Sequence, residues 1–314
     1  GNAVDAAVVA GFALAVTQPR SGNIGGGGFM LVSDEKTGEV VAIDYREKAP
    51  AAASETMFQD ENGEAVSEWS RFTHRAAGVP GTVAGLAKAL EDYGTLSLEQ
   101  ALAPAIKLAE DGFVIPTRFA KGLSDAKDRL AKWDSTAKVF YKPDGSNYQA
   151  GELFKQPELA ATLKRIAANG PREFYEGETA RLIVAEMERH DGIMTLDDLK
   201  AYELAIREPV HGTYRGYDIF SMSRPSSGGA HILEILNMLE GDDIQAMGFN
   251  SAATIHVMAE AMRRAYADRS EYLGDTDFVD VPLSGIISKD YAKELRAQFE
   301  LDKATPSSEV KPGK

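Results

Sequence analysis

The chain has 314 residues, 44% hydrophobic and 26% charged, a balance ordinary for a globular protein and long enough to bury a core without staples. Its formal net charge of −14 repels phosphate backbones and anionic lipid, which argues against nucleic acid or a membrane surface as partner. Cysteine is absent, so thiol catalysis, disulfides and the usual zinc-finger ligand sets are removed, although the compartment stays open.

In chain order, Ala3 to Val16 is apolar on every side, which predicts a helix buried all round. The stretch is shorter than the roughly 20 residues a membrane span requires. It carries Asp5 and stops before Pro19, so a core helix is expected. A chain that opens with Gly1-Asn2-Ala3 inside such a helix looks truncated, with any targeting segment upstream. A glycine-rich loop follows over Gln18 to Gly28. Phe29 to Ser33 and Val40 to Tyr45 read as paired strands around a Lys36-Thr37-Gly38 turn.

Beyond a polar, irregular stretch with a turn at Asn62-Gly63, Gly81 to Tyr93 has helical spacing and Gly94 is a good stop. Ser97 and Gln100 form a capping box for a helix that ends near Asp111 and Gly112. Further helices are expected over Thr117 to Ala131, Pro157 to Asn169, Glu178 to His190 and a short one from Thr195, with a turn at Lys142-Pro143-Asp144-Gly145. Val210 to Tyr214 and Tyr217 to Met222 read as a hairpin around Arg215-Gly216. Ala230 to Leu239, Ser251 to Tyr272 and Ser288 to Phe299 complete the helices, and Lys303 to Lys314 reads as a loose tail. No internal repeat or long linker is visible. A helix-rich α+β fold in one domain over 1–314 is expected, with few strands covered by helices.

Chemistry-bearing candidates are sparse. The run Gly25-Gly26-Gly27-Gly28 could cradle phosphate only if a helix followed. Phe29-Met30-Leu31-Val32 follows instead, so close backbone approach beside a substrate or partner chain is the better reading. Arg46, in Asp44-Tyr45-Arg46-Glu47-Lys48-Ala49-Pro50, stands where a strand meets a loop. A guanidinium there can grip a carboxylate through two parallel hydrogen bonds, or pair structurally with Asp44 or Glu47. Ser226 and Ser227 lack the glycine of a nucleophile elbow, and Ser227 reads as a helix N-cap or a backbone-bonding residue. The histidines His74, His190, His211, His231 and His256 show no metal-ligand spacing. Pairs such as His256 with Glu260, and Glu260 with Arg264, read as exposed or interface salt links. Residues alone thus reach a helix-rich α+β domain with one possible carboxylate-binding arginine and no nucleophile–base set.

These motifs carry a resemblance. Gly1-Asn2-Ala3-Val4-Asp5-Ala6-Ala7, the segment from Gln18 to Met30, the segment from Asp44 to Pro50, the segment from Gly78 to Gly85, Pro225-Ser226-Ser227-Gly228-Gly229, the segment from Tyr266 to Gly274, and Pro306-Ser307-Ser308-Glu309 resemble the large subunit of a bacterial γ-glutamyltranspeptidase. The match spans essentially the whole chain. It implies an N-terminal-nucleophile hydrolase: the helix-rich half of a four-layer αββα sandwich, completed by a small subunit cut from the same precursor. It also implies transfer or hydrolysis of γ-glutamyl groups from glutathione, no metal or other cofactor, and a periplasmic or secreted location. The nucleophilic threonine would head the small subunit, leaving no catalytic residue in this chain. Arg46 matches the arginine that clasps the substrate α-carboxylate. A related glutaryl-cephalosporin acylase, a poly-γ-glutamate-cleaving enzyme and a non-catalytic binding protein are the alternatives.

Overall fold

A computed structural model describes residues 1–35 and 37–313 of the chain. Asn2 caps α1 (Ala3–Thr17) in a capping box with Asp5. β1 (Phe29–Ser33) and β2 (Val40–Asp44) fall where the two apolar runs place them. Lys36 of the expected turn lies outside the described residues; Gly38 beside it has φ +73°. Next come α2 (Trp69–Phe72), a 3-10 turn at His74–Ala76, and α3 (Thr82–Tyr93). α4 (Leu98–Asp111) starts on the Ser97–Gln100 box and stops at Gly112, whose φ of +91° suits a residue without a Cβ.

β3 (Phe113–Val114) is followed by α5 (Thr117–Asp125) and α6 (Lys127–Leu130), separated at Ala126 where one helix was expected. α7 (Asp134–Phe140) and β4 (Leu153–Phe154) come next. α8 (Pro157–Asn169) begins on proline and ends at Gly170, as its sequence demands. α9 (Arg172–Glu176), α10 (Glu178–Arg189), α11 (Leu196–Lys200) and β5 (Ala205–Arg207) lead to the hairpin of β6 (Val210–Tyr214) and β7 (Tyr217–Ser221). Its turn residues Arg215 and Gly216 both have positive φ, the geometry a two-residue hairpin prefers. α12 (Gly228–Leu239), α13 (Ile244–Met247), α14 (Ala252–Tyr272), α15 (Leu283–Ile286) and α16 (Lys289–Arg296) complete the chain.

The described chain divides into two compact units. The first comprises residues 1–28 and 44–205. Its core is helical: α1 packs on α3 and α4, and α4 on α8, around Val8, Phe12, Leu102, Leu163 and Ile166. Helix α1 is not buried all round. Asp5, Val8, Phe12, Ala15 and Val16 form the covered stripe, while Ala6, Ala10 and Leu14 are exposed. Asp5, an apparent interruption, is one of the anchors. It accepts the N–H groups of Asn2, Thr95 and Leu96 and the hydroxyl of Thr95, at 2.6–3.0 Å. Burial pushes its carboxyl up, but these donors outweigh burial and hold it well below the usual carboxylate range.

The second unit comprises residues 29–43 and 206–313 of the described chain. Strands β1, β2 and β5 form a sheet in that order, β6 pairs antiparallel with β7, and α12 packs on α14, α16 and β6. Met238, Leu239, Val257, Ala261, Leu295 and Phe299 fill its core. Glu260 and Arg264 are not exposed salt links: both are buried, 2.7 Å apart. Burial raises the Glu260 carboxyl, but Arg264, Thr305 and Arg263 more than offset this and lower it to about 2. His256 binds the carbonyl of Glu300 instead of Glu260. The segment after α16 has no regular structure, yet it is hydrogen-bonded to α14. Thr305 donates to both Glu260 oxygens, Ser307 accepts from Arg263, and the Gly313 N–H donates to Asp268 at 2.8 Å.

Candidate substrate-binding site

All the residues that hold Arg46 lie in the first unit. Where β2 ends, Tyr45 and Gly28 exchange both backbone hydrogen bonds, at 3.0 and 3.2 Å, so the glycine loop runs alongside the strap of residues 45–48. The buried Asp44 carboxylate accepts the Arg46 N–H at 3.2 Å. The Tyr202 hydroxyl donates to the Arg46 carbonyl at 2.8 Å. Lys48 and Val79 then exchange backbone bonds at 3.1 and 2.7 Å, and the Ala51 N–H meets Asp198 at 2.7 Å. The backbone N–H and carbonyl of Arg46 are therefore both satisfied by fixed partners, while residue 46 itself is exposed.

Glycines make this possible. A Cβ on Gly27 would lie 2.5 Å from the Tyr45 carbonyl oxygen and 2.8 Å from the Arg46 Cα. One on Gly81 would lie 2.0 Å from the same carbonyl oxygen, and one on Gly85 2.1 Å from the Tyr45 ring. The strap is thus gripped by bare backbone, Gly26 to Gly28 against it and Gly81 closing from α3. Gly26 seals the join by accepting the N–H groups of Gly81 and Thr82 at 2.8 and 3.0 Å. The run reads as close backbone approach, as its lack of a following helix implied, and no phosphate cradle is formed.

Tyr202 is itself held by its neighbours. Its ring stacks on Tyr175 with centroids 5.5 Å apart and planes at 8°. Tyr175 in turn donates to the Pro80 carbonyl at 2.9 Å and accepts the Ala84 N–H. Burial pushes the Tyr202 phenol well up, reinforced by neighbouring Tyr175 and Asp44, so it keeps its proton and remains a donor. No motif in the sequence singles out either tyrosine. Tyr202 stands 156 positions from Arg46, and only a lone tyrosine after α11 could have hinted at it.

The arrangement offers a rooted guanidinium on an exposed strap, suited to holding a planar anion. It offers no nucleophile. In the second unit Ser226 spends its hydroxyl oxygen accepting the Gly228 N–H, and Ser227, at the cap position of α12, makes no side-chain cap bond. His231 bonds the Ser227 carbonyl at 2.8 Å, not its hydroxyl, so no serine–histidine pair forms there.

The class is given by the fold. The chain matches the crystal structure of Helicobacter pylori γ-glutamyltranspeptidase with a TM-score of 0.97 and 50% identity, over 99% of this chain and 89% of that one. It matches the Pseudomonas nitroreducens γ-glutamyltranspeptidase complexed with L-DON with a TM-score of 0.93 and 39% identity, over 99% and 91%. This is the mixed helix-and-sheet fold of N-terminal-nucleophile hydrolases of that kind.

The particular family follows from the sequence. The family model described as Gamma-glutamyltranspeptidase matches residues 1–314. The glutathione hydrolase proenzyme of Escherichia coli (strain K12) is 48% identical over 314 residues, which is 100% of this chain and 54% of that protein. The chain belongs to the γ-glutamyltranspeptidase family, and it spans about half the length of the curated relatives it matches.

Proposed function

We propose that this chain is the large-subunit part of a γ-glutamyltranspeptidase that transfers or hydrolyses the γ-glutamyl group of glutathione and related compounds. Arg46 holds the donor α-carboxylate. The observation that carries the reading is the root of Arg46: its N–H is held by Asp44, its carbonyl by Tyr202, and its Cα lies against Gly27. Anchoring a charge remote from the scissile amide positions the reacting carbonyl.

The chemistry needs a second piece. A threonine heading a small subunit from the same precursor supplies the nucleophile. Its free α-amino group, with a pKa of roughly 7.7–8.0, can take the hydroxyl proton. The threonine oxygen attacks the γ-carbonyl carbon, the carbon–nitrogen bond breaks, and the leaving amine takes up the proton. The γ-glutamyl ester then passes to water or an amino acid. Two observations support the division. The Escherichia coli relative is called a proenzyme and is nearly twice as long as this chain, whereas the chain covers most of the solved Helicobacter pylori chain. A periplasmic or secreted location belongs to the same reading; among the described residues no helix is long and apolar enough to cross a membrane.

The test is kinetic. A charge-assisted pair contributes about 1.5–3 kcal/mol, so Arg46→Ala raises the apparent KM for a γ-glutamyl anilide about ten- to hundredfold. Arg46→Lys recovers little, because an ammonium lacks the planar fork. An unchanged KM removes Arg46 from the site. Mass spectrometry of the purified protein should find a companion chain that begins with threonine; a lone 33.9 kDa chain would point to a binding protein instead. Preference for a glutaryl over a γ-glutamyl anilide would move the reading to an acylase.

A further inference from the structure

One cluster of titratable groups in the first unit lies outside everything used above. Glu186 and His190 stand one turn apart at the C-terminal end of α10, and the 3-10 turn at His74–Ala76 brings His74 to them. The Glu186 Oε1 lies 3.5 Å from His190 Nε2 and 3.9 Å from His74 Nε2. One ligand atom from each of the three residues fits within a 4.8 Å span. The two imidazoles stack with centroids 4.6 Å apart, and Trp133 covers both edge-on. The His190 Nε2 is buried and makes no hydrogen bond. The Ser135 hydroxyl donates to the same Oε1 at 2.6 Å, and the Arg189 guanidinium holds the other oxygen, Oε2, at 2.9 Å, so the carboxylate is fixed in place.

From these positions we infer that His74, Glu186 and His190 form a binding site for a zinc-class divalent ion. Two imidazoles and one carboxylate suit zinc rather than calcium or magnesium, which take oxygen ligands. Zinc–nitrogen bonds of about 2.0–2.1 Å place tetrahedral ligand atoms about 3.4 Å apart. The two Glu186 separations, 3.5 and 3.9 Å, are already near this, and the third lies within 4.8 Å, so a small rotation of His74 completes the set. Ser135 is the kind of outer partner that holds a ligating carboxylate in place. The ion would give the buried His190 nitrogen the partner it lacks, tie the end of α10 to the 3-10 turn, and leave a fourth position for water. Its role is a structural clasp, separate from the Arg46 strap.

The test uses the intact purified protein stripped with a chelator and then titrated with Zn²⁺ in a chelator buffer, with bound metal counted by mass spectrometry. One zinc per protein is expected. Because changing only an outer partner of a metal site costs about 10–100-fold in affinity, each of Glu186→Gln, His190→Gln and His74→Gln should weaken binding by about tenfold or more. His211→Gln should not, although His211 also lies 2.8 Å from a carboxylate, that of Asp218. Co²⁺ should show the intense visible bands of a four-coordinate ion in the wild type and lose them in His190→Gln. Thermal melts supply a second readout: Zn²⁺ should raise the Tm of the wild type and not of the three variants. Equal zinc affinity in the wild type and all three variants, or no stoichiometric zinc in the wild type, overturns the assignment.

Discussion

Gly25 and Gly27 are two positions apart in one loop and should respond oppositely to the same methyl group. An alanine Cβ at position 25 meets only the Asn23 side-chain oxygen, at 3.5 Å, an ordinary contact. At position 27 it meets three backbone atoms of the strap, at 2.5 Å (Tyr45 oxygen), 2.7 Å (Glu47 nitrogen) and 2.8 Å (Arg46 Cα). Comfortable separations are about 3.5–4.0 Å between carbon atoms, so loop and strap must part by about 1 Å. No flexible side chain is available to yield, and the strap is tied at both ends to Gly28 and Val79. Gly27→Ala should therefore cost about 1–3 kcal/mol of stability, the usual price of overpacking. It should also move the Arg46 root by a distance that can cost about a hundredfold in activity. Gly25→Ala should be neutral or stabilising by up to about 1 kcal/mol, through the unfolded chain. The assay pairs thermal melts with the apparent KM for a γ-glutamyl anilide. If the two variants match in Tm and KM, the strap is not gripped as described.

Two further predictions concern pH. The native Asp5 carboxyl lies below its unfolded value, so its stabilising contribution is complete above about pH 4 and is lost as pH falls below it. Asp5→Asn should destabilise the protein at pH 7 and flatten the fall in Tm on acidification; an unchanged acid limb would remove Asp5 as an anchor. Glu234 behaves in the opposite sense. Fully buried, and beside Asp268, its carboxyl is raised to about 9, first by burial and then by that neighbour. Its stability contribution is greatest below about pH 4, the unfolded value, and declines as pH rises through about 9. Glu234→Gln keeps the shape and a donor while removing the titration. It should raise Tm at pH 8 more than at pH 5, and an equal shift at both would refute the buried-acid reading.

Local signals were legible wherever chemistry acts over a few residues. The capping box at Ser97 with Gln100, the helix start at Thr195, the proline start of α8 and the Arg215-Gly216 turn all lie where the sequence put them. Misreadings came where packing decides. Periodicity could not tell that only one stripe of α1 would be covered, because alanine suits either environment. It could not place Glu260 and Arg264 in a core, because the same i, i+4 spacing marks an exposed pair. It also passed over Glu186 and His190 as possible ligands, because their partner His74 lies more than a hundred positions away.

What the sequence determined by itself is the identity of the family and most of the helix boundaries, and it made Arg46 the candidate for gripping a carboxylate. Tertiary structure alone decided how that arginine is held. Tyr202, Gly81 and Asp198 reach the strap and the residues just after it from distant segments, and Tyr175 backs the Tyr202 ring. Hydrogen bonds and steric contacts act over a few ångströms of space, and separation along the chain does not reveal which groups will come that close.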